Sequence, residues 1–203
     1  GDRALGREPM RVAALGRAIL DGLQRGGVVG VVKHLPGHGR TSVDTHKALP
    51  TVTASDEELQ LDLAPFKTLN SAPMGMTGHL LFTAWDAENP STLSKIVVED
   101  IIRRRIGFDG LLFTDDIDME ALAGTVPERA ERAQAAGCDI ILNCWAKMDD
   151  MVGIADRLAP MSVTTRERLN RAMATIADRD ITNHADQLAA LLTRRDELMA
   201  AAG

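Results

Sequence analysis

The sequence predicts an α/β fold built from parallel βα units. Four short apolar runs alternate with segments whose apolar residues recur at helical spacing. Gly, Pro and capping residues punctuate the boundaries. A polar cluster closes each run: Lys33-His34, Gly78-His79, Thr114-Asp115-Asp116 and Asn143-Cys144-Trp145. In βα folds the loops after the strands converge on one edge of the sheet, so these clusters are expected to meet there.

Each element has its own warrant. Residues 8–25, EPMRVAALGRAILDGLQR, carry a helical apolar stripe that Gly26 and Gly27 stop. VVGVVKHL, 28–35, is a short buried strand, and a loop follows to about residue 54. Ser55 and the acids after it announce a helix over SDEELQLDLAPFKTLN. APMGMTGHLLF, 72–82, is the second strand, and STLSKIVVEDIIRRRI, 91–106, is a helix with a Ser cap and a basic last turn. GFDGLLFTDD, 107–116, is the third strand. VPERAERAQAAG, 126–137, is a helix closed by Gly137, and CDIILNCW, 138–145, is the fourth strand. A helix over 147–159 and two polar-faced helices, within 160–203, complete the chain.

The 203 residues suit one domain, 1–203, with a hydrophobic core. A closed eight-stranded barrel takes roughly 250 residues. With four strands visible, the sheet is either open or part of a barrel. No internal repeat, low-complexity tract or linker interrupts the chain.

Composition removes several classes of function. Net charge is −6, aromatics are 3% and Tyr is absent, which argues against nucleic-acid binding by basic patches and stacking rings. No apolar run approaches the roughly 20 residues of a membrane helix. No charged-then-apolar leader opens the chain, although it starts at Gly1 rather than Met. Cys138 and Cys144 form no CxxC pair and are expected to be buried free thiols of a reducing compartment.

The stretch KHLPGHGRTSVDTHKALP, 33–50, holds three of the five histidines. One reading is a metal site of His34, His38, His46 and Asp44, serving a metal-dependent hydrolase. Pro36 and Gly37 weaken it, because they keep His34 and His38 from aligning on a helix. A phosphate loop fails, since PGHGRTS lacks the GxxxxGK[ST] frame. A plain Gly/Pro turn explains Pro36, Gly37 and Gly39 but not the gathering of His, Lys and Asp. Acid–base chemistry is the fourth reading. Asp44 and His46 are two apart, so an extended segment projects both to one side, where the carboxylate orients and tunes the imidazole.

In LLFTDDIDMEAL, 111–122, Asp116 or Asp118 could cap a helix starting near Met119. Asp115 is less easily explained that way, because its place at the strand tip aims it into the space above the sheet. Adjacent carboxylates raise one another's pKa unless hydrogen bonds hold them ionised. Arg3, in the opening GDR, reads from spacing alone as a surface charge.

Four segments together resemble the glycoside hydrolase family 3 β-N-acetylglucosaminidases. KHLPGHGRTSVDTHKALP is similar to that family's KHFPGHG…D(S/T)H…LP stretch, with Leu35 in place of the usual Phe. GLLFTDDIDMEAL, APMGMTGHLLFTAWDAENPSTLS and GDRALGREP resemble further family motifs, in the right order, over about residues 1–160. The resemblance implies a (β/α)8 TIM barrel of which this chain holds about the last four βα units. It implies retaining hydrolysis of terminal β-linked N-acetylglucosamine from peptidoglycan-derived muropeptides, GlcNAc-1,6-anhydroMurNAc, in the cytoplasm and without cofactor or metal. It implies Asp115 as nucleophile, His46 backed by Asp44 as acid/base, and Arg3, Lys33 and His34 as sugar contacts. The expected partners are the amino-sugar substrate and the missing N-terminal half of the barrel. Without that half, the chain is expected to leave strand edges unpaired and to be inactive or aggregation-prone. A non-catalytic barrel remnant that binds amino sugar or a protein partner is the reading from another class.

Overall fold

A computed structural model describes residues 4–41, 49–176 and 185–202. In chain order the elements are α1 (Pro9–Arg25), β1 (Val31–Leu35), β2 (Thr51–Val52), α2 (Asp56–Thr68), β3 (Met74–Thr77), β4 (Leu81–Phe82), a 3-10 turn (Ser91–Leu93) and a helix of π-type spacing (Ile96–Ile106). They continue with β5 (Leu111–Asp116), α3 (Val126–Ala136), β6 (Ile140–Leu142), α4 (Met148–Arg157), α5 (Val163–Ala174) and α6 (Ala185–Ala202). The fold is α/β with a parallel sheet, in the order β1-β3-β5-β6. That is chain order, as in successive strands of a βα barrel. β2 and β4 form a separate parallel pair.

Several predicted boundaries move, for local reasons. The first strand begins at Val31, not 28, where the chain passes α1 so closely that a Cβ on Gly30 would stand 2.4 Å from Leu20 Cδ2. The predicted strand 72–82 is two strands, because Gly78-His79-Leu80 leaves the ladder and β4 turns to pair with β2. The third and fourth strands shorten to Leu111–Asp116 and Ile140–Leu142. Gly107, at φ +77°, closes the helix before the third and leaves a turn ahead of Leu111. No helix starts near Met119: residues 117–122 are turns, and α3 begins at Val126 behind a Thr125 whose N–H donates to Glu128 Oε2 at 2.8 Å. The expected capping role of Asp116 or Asp118 is therefore replaced by another, given below.

Two apolar layers position the strands. On one face, Val32, Leu35, Leu112 and Ile141 pack with Leu63, Val97, Ile101, Ile102 and Phe108. On the other, Met74, Leu111, Phe113 and Ile140 meet Leu169 and Ala172 of α5. Alternation places Asp115 on this second face, two residues beyond Phe113. α5 is tied beneath the sheet by a buried network. Asp139 Oδ2 accepts from Arg103 at 2.7 Å and from Leu112 N–H at 2.9 Å, while Oδ1 accepts from Thr165 Oγ1 at 2.9 Å and Arg168 at 3.1 Å. Asp109, largely exposed, pairs with Arg168 and Arg171 at 2.9 Å each.

Among the described residues β1 and β6 each pair on one side only. The outer helices beside them show apolar faces to solvent: Leu15, Ile19 and Leu23 on α1, and Met148, Met151 and Val152 on α4. No helix among the described residues is long and apolar enough to cross a membrane. Cys138 is buried as expected, and burial pushes its thiol up to about 12. Cys144 is exposed, because the strand ends before it.

Candidate active site

The strand tips meet as the alternation predicts. Lys33 and His34 lie in β1 and Asp115 in β5, with β3 between them. His34 Nε2 stands 3.6 Å from Asp115 Oδ2, and both side chains are about four-fifths buried, at 20% and 18% exposure. Lys33 is exposed. The peptide bonds Lys33–His34 and Leu35–Pro36 are cis. His34 can come this close to β3 because Gly78 carries no side chain; a Cβ there would lie 3.1 Å from His34 Cβ and 2.7 Å from Leu80 Cδ1. His38 turns aside: its Nδ1 shares a hydrogen bond with Thr41 Oγ1 at 2.9 Å, and its ring lies 5.6 Å from that of His34. Arg3, Asp44 and His46 lie outside the described residues.

The Asp115 carboxylate is held at one oxygen. Oδ1 accepts from the backbone N–H of Asp116 at 2.9 Å, which leaves Oδ2 toward His34. Asp116 and Asp118 serve the scaffold instead. Asp116 Oδ1 accepts from Asp118 N–H at 3.1 Å and Cys144 N–H at 3.0 Å. Asp118 Oδ2 accepts from Asn143 Nδ2 at 2.7 Å and Trp145 N–H at 2.9 Å. Together they stitch the loop after β5 to the loop after β6. Burial pushes the Asp118 carboxyl above the usual range, and the neighbouring Asp116 adds to it.

The sequence marks His79 only as part of the Gly78-His79 pair at a strand end. It is 1% exposed, its Nδ1 is 2.8 Å from Thr92 Oγ1, and its Nε2 is 2.9 Å from the carbonyl of Asp116. The signal available in sequence was a Gly-His pair closing an apolar run. Thr92, 13 residues beyond His79, gave none. A cleft of about 410 Å³ opens at the opposite ends of the strands, lined by Pro73, Asp109, Gly110, Arg168 and Arg171. Both arginines are already paired there with Asp109. Among the described residues no three His, Cys, Asp or Glu side chains converge as metal ligands.

Residues 1–178 match the glycosyl hydrolase family 3 N terminal domain. The chain belongs to glycosyl hydrolase family 3. Among curated family members, the β-hexosaminidase of Chromobacterium violaceum is 42% identical over 176 residues, which is 84% of this chain and 49% of that protein. The β-hexosaminidase of Neisseria gonorrhoeae strain NCCP11945 is 42% identical over 149 residues, 71% of this chain and 41% of that protein. A family 3 β-N-acetylglucosaminidase from Paenibacillus sp. FPU-7 superposes with a TM-score of 0.77 at 33% identity, covering 91% of this chain and 39% of that one. NagZ from Neisseria gonorrhoeae, solved in complex with N-trifluoroacetyl-D-glucosamine, gives a TM-score of 0.76 at 34% identity, covering 94% and 54%. This family 3 chain therefore spans about half the length of the curated relatives it matches.

Proposed function

We propose that this chain supplies the catalytic strand tips of a retaining β-N-acetylhexosaminidase. The observation that carries this reading is the juxtaposition of Asp115 and His34 at the C-terminal ends of β5 and β1, 3.6 Å apart, within a glycosyl hydrolase family 3 sheet. The β-hexosaminidase relatives and the amino-sugar complex of the gonococcal protein support it.

In this reading Asp115 attacks the anomeric carbon from the face opposite the leaving group and forms a covalent glycosyl-enzyme. His46, oriented by Asp44, protonates the leaving oxygen and then takes a proton from the water that releases the sugar. An imidazole suits both halves of that cycle, since its ordinary pKa lies near neutrality. Arg3, Lys33 and His34 bind the sugar hydroxyls. The substrate class is terminal, non-reducing β-linked N-acetylglucosamine on peptidoglycan-derived muropeptides such as GlcNAc-1,6-anhydroMurNAc, met in the cytoplasm. The apolar faces of α1 and α4 and the edges of β1 and β6 are covered by the remaining βα units of an eight-unit barrel.

The test is turnover of an aryl β-N-acetylglucosaminide by the chain, and by the chain together with the other half of a barrel. Turnover that survives in Asp115→Ala removes Asp115 as nucleophile. Turnover abolished by strong chelators would favour a metal-dependent hydrolase instead.

A further inference from the structure

We infer that His79 is a positioning residue that fixes the peptide after Asp116, the residue whose N–H holds Asp115 Oδ1, and so aims the Asp115 carboxylate. For its catalytic consequence this rests on Asp115 being the nucleophile; for its geometry it does not.

The argument follows the protons. The Asp116 carbonyl can only accept, so His79 Nε2 carries hydrogen and donates across 2.9 Å. The ring is almost wholly enclosed, and burial pushes its pKa down, against the opposing pull of Asp115 and Asp116 and with the help of Arg129. A neutral ring has one proton, so Nδ1 accepts, and Thr92 Oγ1 donates to it across 2.8 Å. Thr92 accepts in turn from Thr77 Oγ1 at 2.7 Å. The 3-10 turn thus sets the tautomer of the ring, and the ring sets the Asp116 carbonyl. The far end of that same peptide unit, Ile117 N–H, donates to Leu142 O at 3.0 Å. Held at both ends, the peptide cannot rotate without breaking two bonds. Asp116 then presents its own N–H to Asp115 Oδ1, which leaves Oδ2 facing His34. An ordinary core histidine would be satisfied by any two partners. Here both nitrogens are spent on one chain of contacts that runs from Thr77 to the Asp116 carbonyl, one residue from the Asp115 carboxylate.

The test uses the whole chain, with His79→Gln, Thr92→Val, Thr92→Ser and Asp115→Asn. Long-range proton–nitrogen spectra should show His79 as a single Nε2-protonated ring between about pH 8 and pH 5.5. The His34 ring should titrate in His79→Gln with its midpoint displaced toward that of Asp115→Asn. Thr92→Val should do the same, and Thr92→Ser should restore the wild-type curve. Circular dichroism checks that each variant is folded; if His79→Gln is not, Thr92→Val decides, since it removes only a hydroxyl. In turnover of the aryl glycoside, His79→Gln should lower kcat about tenfold or more with KM little changed, as misplacement of a reacting group does. A proton on Nδ1 alone, or a His34 curve in folded variants that overlies the wild type, overturns the inference. An unchanged kcat overturns its catalytic consequence. Absence of turnover in the wild type, even together with the other half of a barrel, removes the proposed activity instead, and the spectra still decide the role of His79.

Discussion

Asp115 Oδ2 lies 3.6 Å from His34 Nε2, between strands that are not neighbours in the sheet. The gap is longer than a hydrogen bond, and Gly78 makes the approach possible. Asp115→Asn keeps the shape and the Asp116 N–H contact but removes the charge that attacks in the proposed mechanism. It should lower kcat by about three to four orders of magnitude with aryl β-N-acetylglucosaminides. Steady-state kinetics alongside a mass-spectrometric search for glycosylated Asp115 checks this.

Lys33 and His34 should behave differently from the proposed nucleophile. If they hold sugar hydroxyls in ground and transition state alike, Lys33→Ala raises KM and spares kcat. A hydrogen bond to a charged group is worth about 1.5–3 kcal/mol, so kcat/KM should fall about 10- to 100-fold. A kcat loss as large as that of Asp115→Asn would contradict a binding role.

The Asp139 network should dominate stability at the base of the sheet. Asp139→Ala strands the guanidinium of Arg103, which is 10% exposed, and takes one of the two acid partners from Arg168. Breaking a buried pair from one side costs about 3–5 kcal/mol. Urea denaturation followed by far-ultraviolet dichroism should show a fall of that order. Arg171→Ala, on the exposed side of Asp109, should cost under about 1 kcal/mol.

Stability should also fall on mild acidification, through His79. Its folded pKa is depressed by burial, while the unfolded ring titrates near 6.5. Below that value the unfolded state binds a proton that the folded state refuses, so unfolding is favoured as pH drops. The capping carboxylates Glu58 and Glu128 are held below the ordinary range of a glutamate by hydrogen bonds from Ser55 and Thr125, so their contribution is lost in a lower window. Melting temperatures between pH 7.5 and pH 5.5 should slope downward in the wild type and more weakly in His79→Gln.

The sheet was legible because each strand carries a compact apolar run and each helix a capped, periodic one. Ser55 with Glu58 and the acids at 56–58 specify the start of α2 without help from the rest of the chain. The strand ends are overextended in sequence, because an apolar residue beside a strand reads like one within it: Val28 and Val29 precede Gly30 yet lie in the irregular connection before β1. The split at Gly78 was hidden, since β4 pairs with Thr51–Val52, a two-residue strand with no periodicity to read. Asp115 could be singled out from its place at the tip of an apolar run. Asp118 could not, because a short acid ahead of a polar stretch looks like a cap, and only the fold brings Asn143 and Trp145 N–H to it. His79 was half visible for the same reason: its partners stand 13 and 37 residues away.

The two ends of the sheet are fastened by different physics. At the rim, Thr77, Thr92 and His79 reach the Asp116 carbonyl through neutral groups alone. At the base, Arg103, Arg168 and Arg171 hold Asp139 and the exposed Asp109 by charge. Rising ionic strength weakens exposed pairs and leaves uncharged hydrogen bonds almost untouched. Concentrated salt should therefore weaken the Asp109 pairs with Arg168 and Arg171, while the buried Asp139 contacts and the geometry around Asp115 persist.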